Sequence, residues 1–158
     1  MPGDKIGDAA WDAFSILNPE YARFVPWYPY PKLVVAELEP PTENSTSWNF
    51  TLIDPFVMPF LNRTVGRKPI INFSTIPTWM FNTSTWDYPA NPYEADFDYN
   101  KGTELLDPTG TQAADYFARV VSWYTSGGFT DELDIFHPSD HHFSIPHWEV
   151  LNLSLIHI

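Results

Sequence analysis

The stretch Ile145-Pro146-His147-Trp148-Glu149-Val150-Leu151-Asn152 decides the predicted fold of this chain. It is a short apolar run that ends on a polar residue, and its residues alternate between two faces. Trp148 falls on one face with Asn152, and Glu149 falls on the other, as side chains do along a strand. The pattern predicts a buried strand whose polar C-terminal end is available for chemistry.

The length and composition of the chain limit which folds and ligands are compatible with that strand. The chain has 158 residues, enough for one core but short of the roughly 250 residues of a complete eight-stranded α/β barrel. Hydrophobic residues make up 44% and aromatic residues 17%, which predicts a folded chain. A formal charge of −12 disfavours nucleic acid and anionic membrane surfaces as partners, so a neutral or cationic ligand is expected.

The chain contains no cysteine, but it is rich in Asn-x-Ser/Thr sequons. Their density favours a secreted glycoprotein, although no signal peptide opens the chain. A fifth sequon, at Asn72, falls in a predicted strand where a glycan would not fit. No apolar stretch approaches the ~20 residues of a membrane span. The predicted glycosylation sites are Asn44, Asn49, Asn62 and Asn82.

Strand and helix patterns alternate along the chain, which predicts an α/β fold. A short helix is expected at Asn18–Phe24, followed by an aromatic loop. The apolar run Lys32–Leu38 then predicts a buried strand. Helices are expected from Ile53 to Leu61 and from Asp107 to Tyr124, on either side of a second strand at Lys68–Pro77.

Two residues at or just after the C-terminal ends of predicted strands are candidates for binding a ligand. Glu37 lies near the C-terminal end of the first predicted strand, where barrel enzymes place their chemistry. It would either bind substrate or be balanced by a nearby Arg or Lys. Trp79 follows the second strand, and aromatic rings stack on sugar faces while carboxylates accept bonds from hydroxyl groups.

The acidic and aromatic connection 82–110 is a second candidate for ligand contact. Its rings would face a ligand or pack the loop itself. His137, His141 and His142 with Asp140 do not have the spacing of a known metal motif, so no metal is expected. Nucleotide-binding glycine loops and nucleophile elbows are also absent from the sequence.

Four segments, taken in order, resemble retaining glycoside hydrolases built on a (β/α)8 barrel. The chain is most similar to glycoside hydrolase family 39, the β-xylosidases and α-L-iduronidases. The segments that carry the resemblance are Trp48–Leu61, Lys68–Pro77, Tyr116–Tyr124 and Trp148–Asn152. The resemblance implies a partial TIM barrel, with about the first four βα units in residues 1–152.

The resemblance also implies a double displacement by two carboxylates that lie about 5 to 5.5 Å apart, with no cofactor. The acid/base aligns with position 153, where this chain has Leu153, and the nucleophile belongs to a seventh strand that these residues do not include. Asn152 matches the residue that holds the sugar 2-hydroxyl, and Trp148 is assigned to the substrate with Trp79 and Glu37. Glu149 lies too deep in the barrel to replace the missing acid and is expected to be a buried structural carboxylate.

The last six residues, Leu153–Ile158, match the translation of a transposon-end sequencing adapter and are expected to be a non-native tail. The alternative is a genuine C-terminal strand. The expected function is therefore glycoside hydrolysis in a longer parent protein, with the chain as written inactive. Two other classes stay open: a secreted, non-catalytic carbohydrate-binding glycoprotein, and a small structural or interaction domain.

Overall fold

The computed structural model describes residues 5–26, 30–83, 87–96 and 104–150. Five strands and four α-helices are assigned within these residues. The helices are α1 (Lys5–Leu17), α2 (Pro31–Val34), α3 (Asp54–Arg63) and α4 (Thr111–Thr125). The strands are β1 (Tyr21–Phe24), β2 (Lys68–Phe73), β3 (Gly128–Thr130), β4 (Phe136–Pro138) and β5 (His147–Val150), and a 3-10 turn spans Thr78–Met80.

The main sheet has three parallel strands in the order β1-β2-β5. β2 is central: Arg23 of β1 pairs with Ile70, and Asn72 pairs with Glu149 of β5. Parallel neighbours need crossover connections, and here α3 lies between β1 and β2 while α4 lies between β2 and β5. β3 and β4 form a separate antiparallel hairpin. The fold is thus mixed α/β with a parallel sheet.

The helices cover one face of this sheet. Phe73 of β2 stacks on Phe117 of α4 at 4.6 Å between ring centroids and on Trp148 of β5 at 5.1 Å. Phe24 of β1 stacks on Phe60 of α3 at 4.7 Å. Because side chains alternate along a strand, the residues between these, including Asn72 and Glu149, occupy the opposite face. One face is therefore an aromatic core and the other is polar.

Helix α4 forms where its apolar stripe predicts. Tyr116, Phe117, Val120 and Tyr124 are buried, and they recur at the spacing of one helix face. The helix begins three residues beyond Pro108, after Gly110 in the left-handed conformation at φ 72°. The Asp107 carboxylate instead accepts hydrogen bonds from the backbone N–H groups of Thr109 and Gln112.

The predicted strand at Lys32–Leu38 is wrong. Pro31–Val34 forms one helical turn, and Glu37 makes only an isolated antiparallel bridge with Trp48. Pro31 fixes a helical φ at the start of the turn, and the apolar side chains are buried by packing rather than by strand pairing. A short continuous apolar run does not distinguish these two states.

The predicted helix at Asn18–Phe24 is also wrong, because Tyr21–Phe24 is strand β1. Asn18 has φ 46°, a left-handed conformation that ends α1. Beyond it Ala22 is buried while Tyr21 and Arg23 are exposed, which is strand alternation. Helix α1 and the β3–β4 hairpin were not predicted.

Two predicted strands are confirmed with shorter bounds. β2 ends at Phe73, four residues before Pro77. β5 covers His147–Val150, while Leu151 and Asn152 lie outside the described residues. The sheet shows three parallel strands, and no barrel is formed by the described part of the chain.

Candidate functional site at the carboxyl edge of the sheet

The carboxyl ends of β1, β2 and β5 meet at one edge of the sheet, because the three strands are parallel. Glu37 follows β1 in the chain and Trp79 follows β2. The structure brings these two predicted ligand residues together: the indole Nε1–H of Trp79 donates to the backbone carbonyl of Glu37 at 2.9 Å. The edge is where α/β proteins bind their ligands.

Helix α4 and the segment before α3 hold the Glu37 backbone in place. The Ala36 N–H donates to the Tyr116 hydroxyl at 3.0 Å, and Tyr116 is fully buried. The Asn49 N–H donates to the Ala36 carbonyl at 2.7 Å, next to the Glu37–Trp48 bridge. Three separate segments therefore converge on residues 36 and 37.

The Glu37 side chain is fully buried. Its relative exposure is 0%, and neither carboxylate oxygen makes a well-formed hydrogen bond within the described parts of the chain, although the Ser47 backbone N–H lies close enough to lower its pKa in part. Burial, followed by the nearby negative charge of Glu132, raises the pKa of Glu37 to about 8, although Arg119 lowers it in part. Burial thus favours the neutral carboxylic acid form of Glu37.

Arg119, whose positive charge acts on Glu37, forms its ion pair with a different residue. Arg119 of α4 forms an ion pair with Glu132 at 2.5 Å and lies over the ring of Trp48, 6.0 Å from its centroid. The Trp48 indole N–H also donates to Glu132, at 3.0 Å. Among the described residues, an Arg or Lys that balances Glu37 by an ion pair is not observed.

The β3–β4 turn places a second carboxylate near this edge. Asp131 accepts hydrogen bonds from the Leu133 and Ile135 N–H groups, from the Thr46 hydroxyl and from His137. Burial alone would raise the pKa of Asp131, but these hydrogen bonds lower it to about 2. Asp131 is thus an anion that organises the turn carrying Glu132.

An open cavity of about 400 Å³ lies beside Trp79. Its wall combines one aromatic ring, one guanidinium and carboxylates from α4, from the segment just before α4 and from the β3–β4 turn. The residues that define it are Trp79, Asp107, Asp115, Arg119 and Glu132. A cavity of this size, with one aromatic ring and several hydrogen-bonding groups on its wall, suits a small polar ligand.

A polar network crosses the uncovered face of the sheet. Arg23 of β1 donates to the Glu149 carboxylate of β5 through Nε at 2.8 Å, and the Asn72 amide of β2 donates to the same oxygen at 2.9 Å. Hydrogen bonding to Arg23 is the largest of the effects that lower the pKa of Glu149. The Glu149 side chain is 40% exposed, so the expectation of a buried carboxylate is wrong.

The sequence interpretation missed Arg23 because it assigned the residue to a helix. The signal was present: Tyr21, Ala22, Arg23 and Phe24 alternate in polarity as a strand does. A strand there, parallel to β2, places the arginine on the face that also carries Glu149.

Of the other predicted ligand residues, the structure describes Trp148, which does not lie at the Glu37–Trp79 contact. Trp148 packs against Phe73 on the helix-covered face. Asn152 and Leu153 lie outside the described residues, as does part of the 82–110 connection. From that connection, the Tyr88 hydroxyl accepts a hydrogen bond from the Thr78 N–H at 2.9 Å, adjacent to Trp79.

The predicted glycosylation sites differ from Asn72 in their exposure. Asn72 is fully buried on β2, as the sequence led us to expect. The side chains of the other four sequon asparagines lie at the surface, in two loops, on the last turn of α3 and after the 3-10 turn. These are Asn44, Asn49, Asn62 and Asn82.

The described histidines do not form a metal centre. His137 contacts Asp131 at 2.8 Å, and His141 lies 4.0 Å from Asp54. Across residues 5–26, 30–83, 87–96 and 104–150, no group of three or more His, Cys, Asp or Glu side chains is arranged to hold an ion. Within the same residues, none of the helices has the length and apolar character needed to cross a bilayer.

Comparisons with known proteins leave the family open. No family model matches the chain, and neither a curated protein nor a solved structure matches it. The sheet topology, the Glu37–Trp79 contact and the polar network are therefore the observations on which a function has to be argued.

Proposed function

We propose that this chain forms the first part of the catalytic barrel of a retaining glycoside hydrolase similar to family 39. The observation that carries the proposal is the parallel order β1-β2-β5, with crossover helices between the strands and with Glu37 and Trp79 in contact at the carboxyl edge. In α/β barrels this edge holds the active site. The polar face with Arg23, Asn72 and Glu149 has the character of a barrel interior.

The proposed roles follow from position and chemistry. Trp79 lines the cavity that would meet an oligosaccharide or glycoside, and the buried Glu37 acts on that ligand through its backbone contact with Trp79. Asn152 holds the sugar 2-hydroxyl, a contact that strengthens in the transition state. The acid/base belongs at the position of Leu153, and the nucleophile belongs to a later strand of the parent protein. This chain by itself is expected to be inactive, and the reaction needs no cofactor.

We further propose that the parent protein is secreted and glycosylated. Surface exposure of Asn44, Asn49, Asn62 and Asn82 supports this, because a glycan needs an exposed asparagine. Expression in a secretory host followed by enzymatic deglycosylation and mass mapping will detect glycans at these four positions. A glycan at Asn72 would contradict its burial in β2.

The decisive experiment for the proposed reaction reads the natural transcript beyond the codon for Asn152. We expect a glutamate codon in place of that for Leu153 and an open reading frame that continues. The encoded protein is then assayed against a panel of aryl glycosides, beside a variant with glutamine at that position. A transcript that encodes leucine there, or a product that hydrolyses none of the panel, would refute the proposal.

A non-catalytic carbohydrate-binding protein is the second candidate. Its supporting observation is an open groove of about 550 Å³ between α1 and α3, lined by rings that include Trp11, Phe56 and Tyr93. Tyr93 is 63% exposed, so its face is accessible for stacking. Binding of unmodified oligosaccharides without hydrolysis, lost in Tyr93→Ala, would favour this candidate over the enzyme.

A further inference from the structure

Glu37 occupies an unusual position for an ionisable residue. Both of its carboxylate oxygens are buried, and neither makes a well-formed hydrogen bond with a described residue. The Ser47 backbone N–H lies close enough to favour the charged form in part, but less than burial disfavours it. A buried carboxylate with few donors is strongly destabilised, whereas a buried carboxylic acid is tolerated at a smaller cost. The geometry alone thus favours the protonated form.

The charged groups that face Glu37 reinforce this preference. Glu132 and Asp131, from the β3–β4 turn, are both acidic. Arg119, from α4, is the one cation among the described groups that act on Glu37, and it is already paired with Glu132. Tyr116, also from α4, is buried, and its hydroxyl accepts the Ala36 N–H. A negative charge on Glu37 would therefore gain little compensation.

The backbone of Glu37 also connects two other segments of the candidate site. Its carbonyl accepts the Trp79 indole N–H from the segment after β2, and the residue bridges to Trp48 before α3. A change in the solvation of the Glu37 side chain would act directly on both contacts. Residue 37 thus couples its own protonation to the packing of Trp79.

We propose that Glu37 is a positioning residue that holds Trp79 at the carboxyl edge only while its side chain is an uncharged acid. At mildly alkaline pH the Glu37 side chain loses its proton to solvent, and the resulting carboxylate moves towards water. This movement breaks the hydrogen bond between the Trp79 indole N–H and the Glu37 carbonyl, so that Trp79 is no longer held at the carboxyl edge of the sheet. Glu37 would serve in this way in a catalytic or in a non-catalytic protein.

The test is a pH titration of the whole chain by NMR spectroscopy, between pH 4 and pH 9.5. Two signals are followed: the side-chain carboxyl carbon of Glu37 and the indole N–H of Trp79. Because the pKa of Glu37 is raised to about 8, we expect both signals to change together with a midpoint near pH 8. The Trp79 step should be lost in Glu37→Gln, which keeps the shape of the acid without its charge.

The exposed Glu39, two residues away, provides the matched control, and Glu39→Gln should leave the Trp79 step unchanged. If Glu37→Gln does not fold, the titration of the Glu37 carboxyl carbon in the unmodified chain still tests the proposal. A Glu37 carboxyl that titrates at the ordinary acidic pH would overturn the proposal. A Trp79 step that persists in Glu37→Gln would do the same.

Discussion

At the scale of single residues, the two glutamates with opposite pKa shifts make opposite predictions. Glu37 is buried and unpaired, so folding disfavours its charged form. Glu149 is half-exposed and bonded to Arg23 and Asn72, so folding favours its charged form. The environment of each carboxyl group, rather than its residue type, sets how stability depends on pH.

Glu37 predicts a loss of stability at alkaline pH. Its folded-state pKa, about 8, lies above the ordinary value of 4.5, so its contribution is fully present below pH 4.5 and is lost as the pH rises through 8. Between these values the slope is at most about 1.4 kcal/mol per pH unit. Urea denaturation of the unmodified chain and of Glu37→Gln from pH 5 to pH 9 measures this difference. Parallel pH profiles for the two proteins would contradict it.

Glu149 predicts the reverse dependence. Hydrogen bonding to Arg23 lowers its pKa, so its contribution is present above pH 4.5 and is lost as the pH falls through the lowered value. Because both side chains are exposed by about 40%, Arg23→Ala should cost less than about 1 kcal/mol at pH 7. A double-mutant cycle with Glu149→Gln isolates the pair. A coupling energy that stays constant as the pH falls from 7 through the lowered pKa of Glu149 would refute the assignment.

At the scale of elements, strand β2 makes the central contacts between the sheet and the helices. Phe73 is 1% exposed and stacks between Phe117 and Trp148. Its truncation leaves a cavity that well-packed neighbours do not fill, so Phe73→Ala should cost about 3 to 5 kcal/mol. Phe136, which is 59% exposed on β4, is the matched control and should cost far less on truncation. Equal losses of unfolding free energy would show that Phe73 is not in the core.

The β3–β4 hairpin depends on close backbone contact at one glycine. A Cβ at Gly128, which has φ 137°, would lie 2.2 Å from the His137 carbonyl oxygen of the partner strand. Gly128→Ala should therefore disrupt the hairpin and displace Asp131 and Glu132.

Gly66 provides the matched control, because it also has a positive φ but a Cβ added there would meet no described atom within 4 Å. Gly66→Ala should therefore lower the free energy of unfolding by the backbone strain only, about 1 kcal/mol, without any steric clash. Chemical shifts of the hairpin amides report the difference, and two equivalent spectra would count against it.

The same elements show what the sequence predicted and what it did not. The stripe from Tyr116 to Tyr124 predicted α4 because a full set of helical repeats leaves little ambiguity. The run Lys32–Leu38 misled because its continuous apolar character reflects burial, which a packed turn satisfies as well as a strand. β1 was missed because its four residues alternate as a strand does but are too few to outweigh the helical spacing read from Asn18 to Phe24, and with it the contact between Arg23 and Glu149 was missed.

At the scale of the whole molecule, the candidate site depends on contacts that no local pattern encodes. Glu37 was chosen because it lies near the end of a predicted strand and Trp79 because it follows one, yet the strand predicted around Glu37 does not exist. They still meet, because parallel strands deliver the segments that follow them to the same edge. The buried, unpartnered state of Glu37 follows from tertiary packing around α4, which sequence spacing does not reveal.

The central proposal is that this sheet belongs to a retaining glycosidase whose sequence continues beyond Asn152. Its most direct test is NMR spectroscopy of the first sugar that the protein encoded by the natural gene releases from an aryl glycoside. A double displacement predicts that this sugar has the anomeric configuration of the substrate. Release of the opposite anomer, or no release from any glycoside of the panel, would contradict the account.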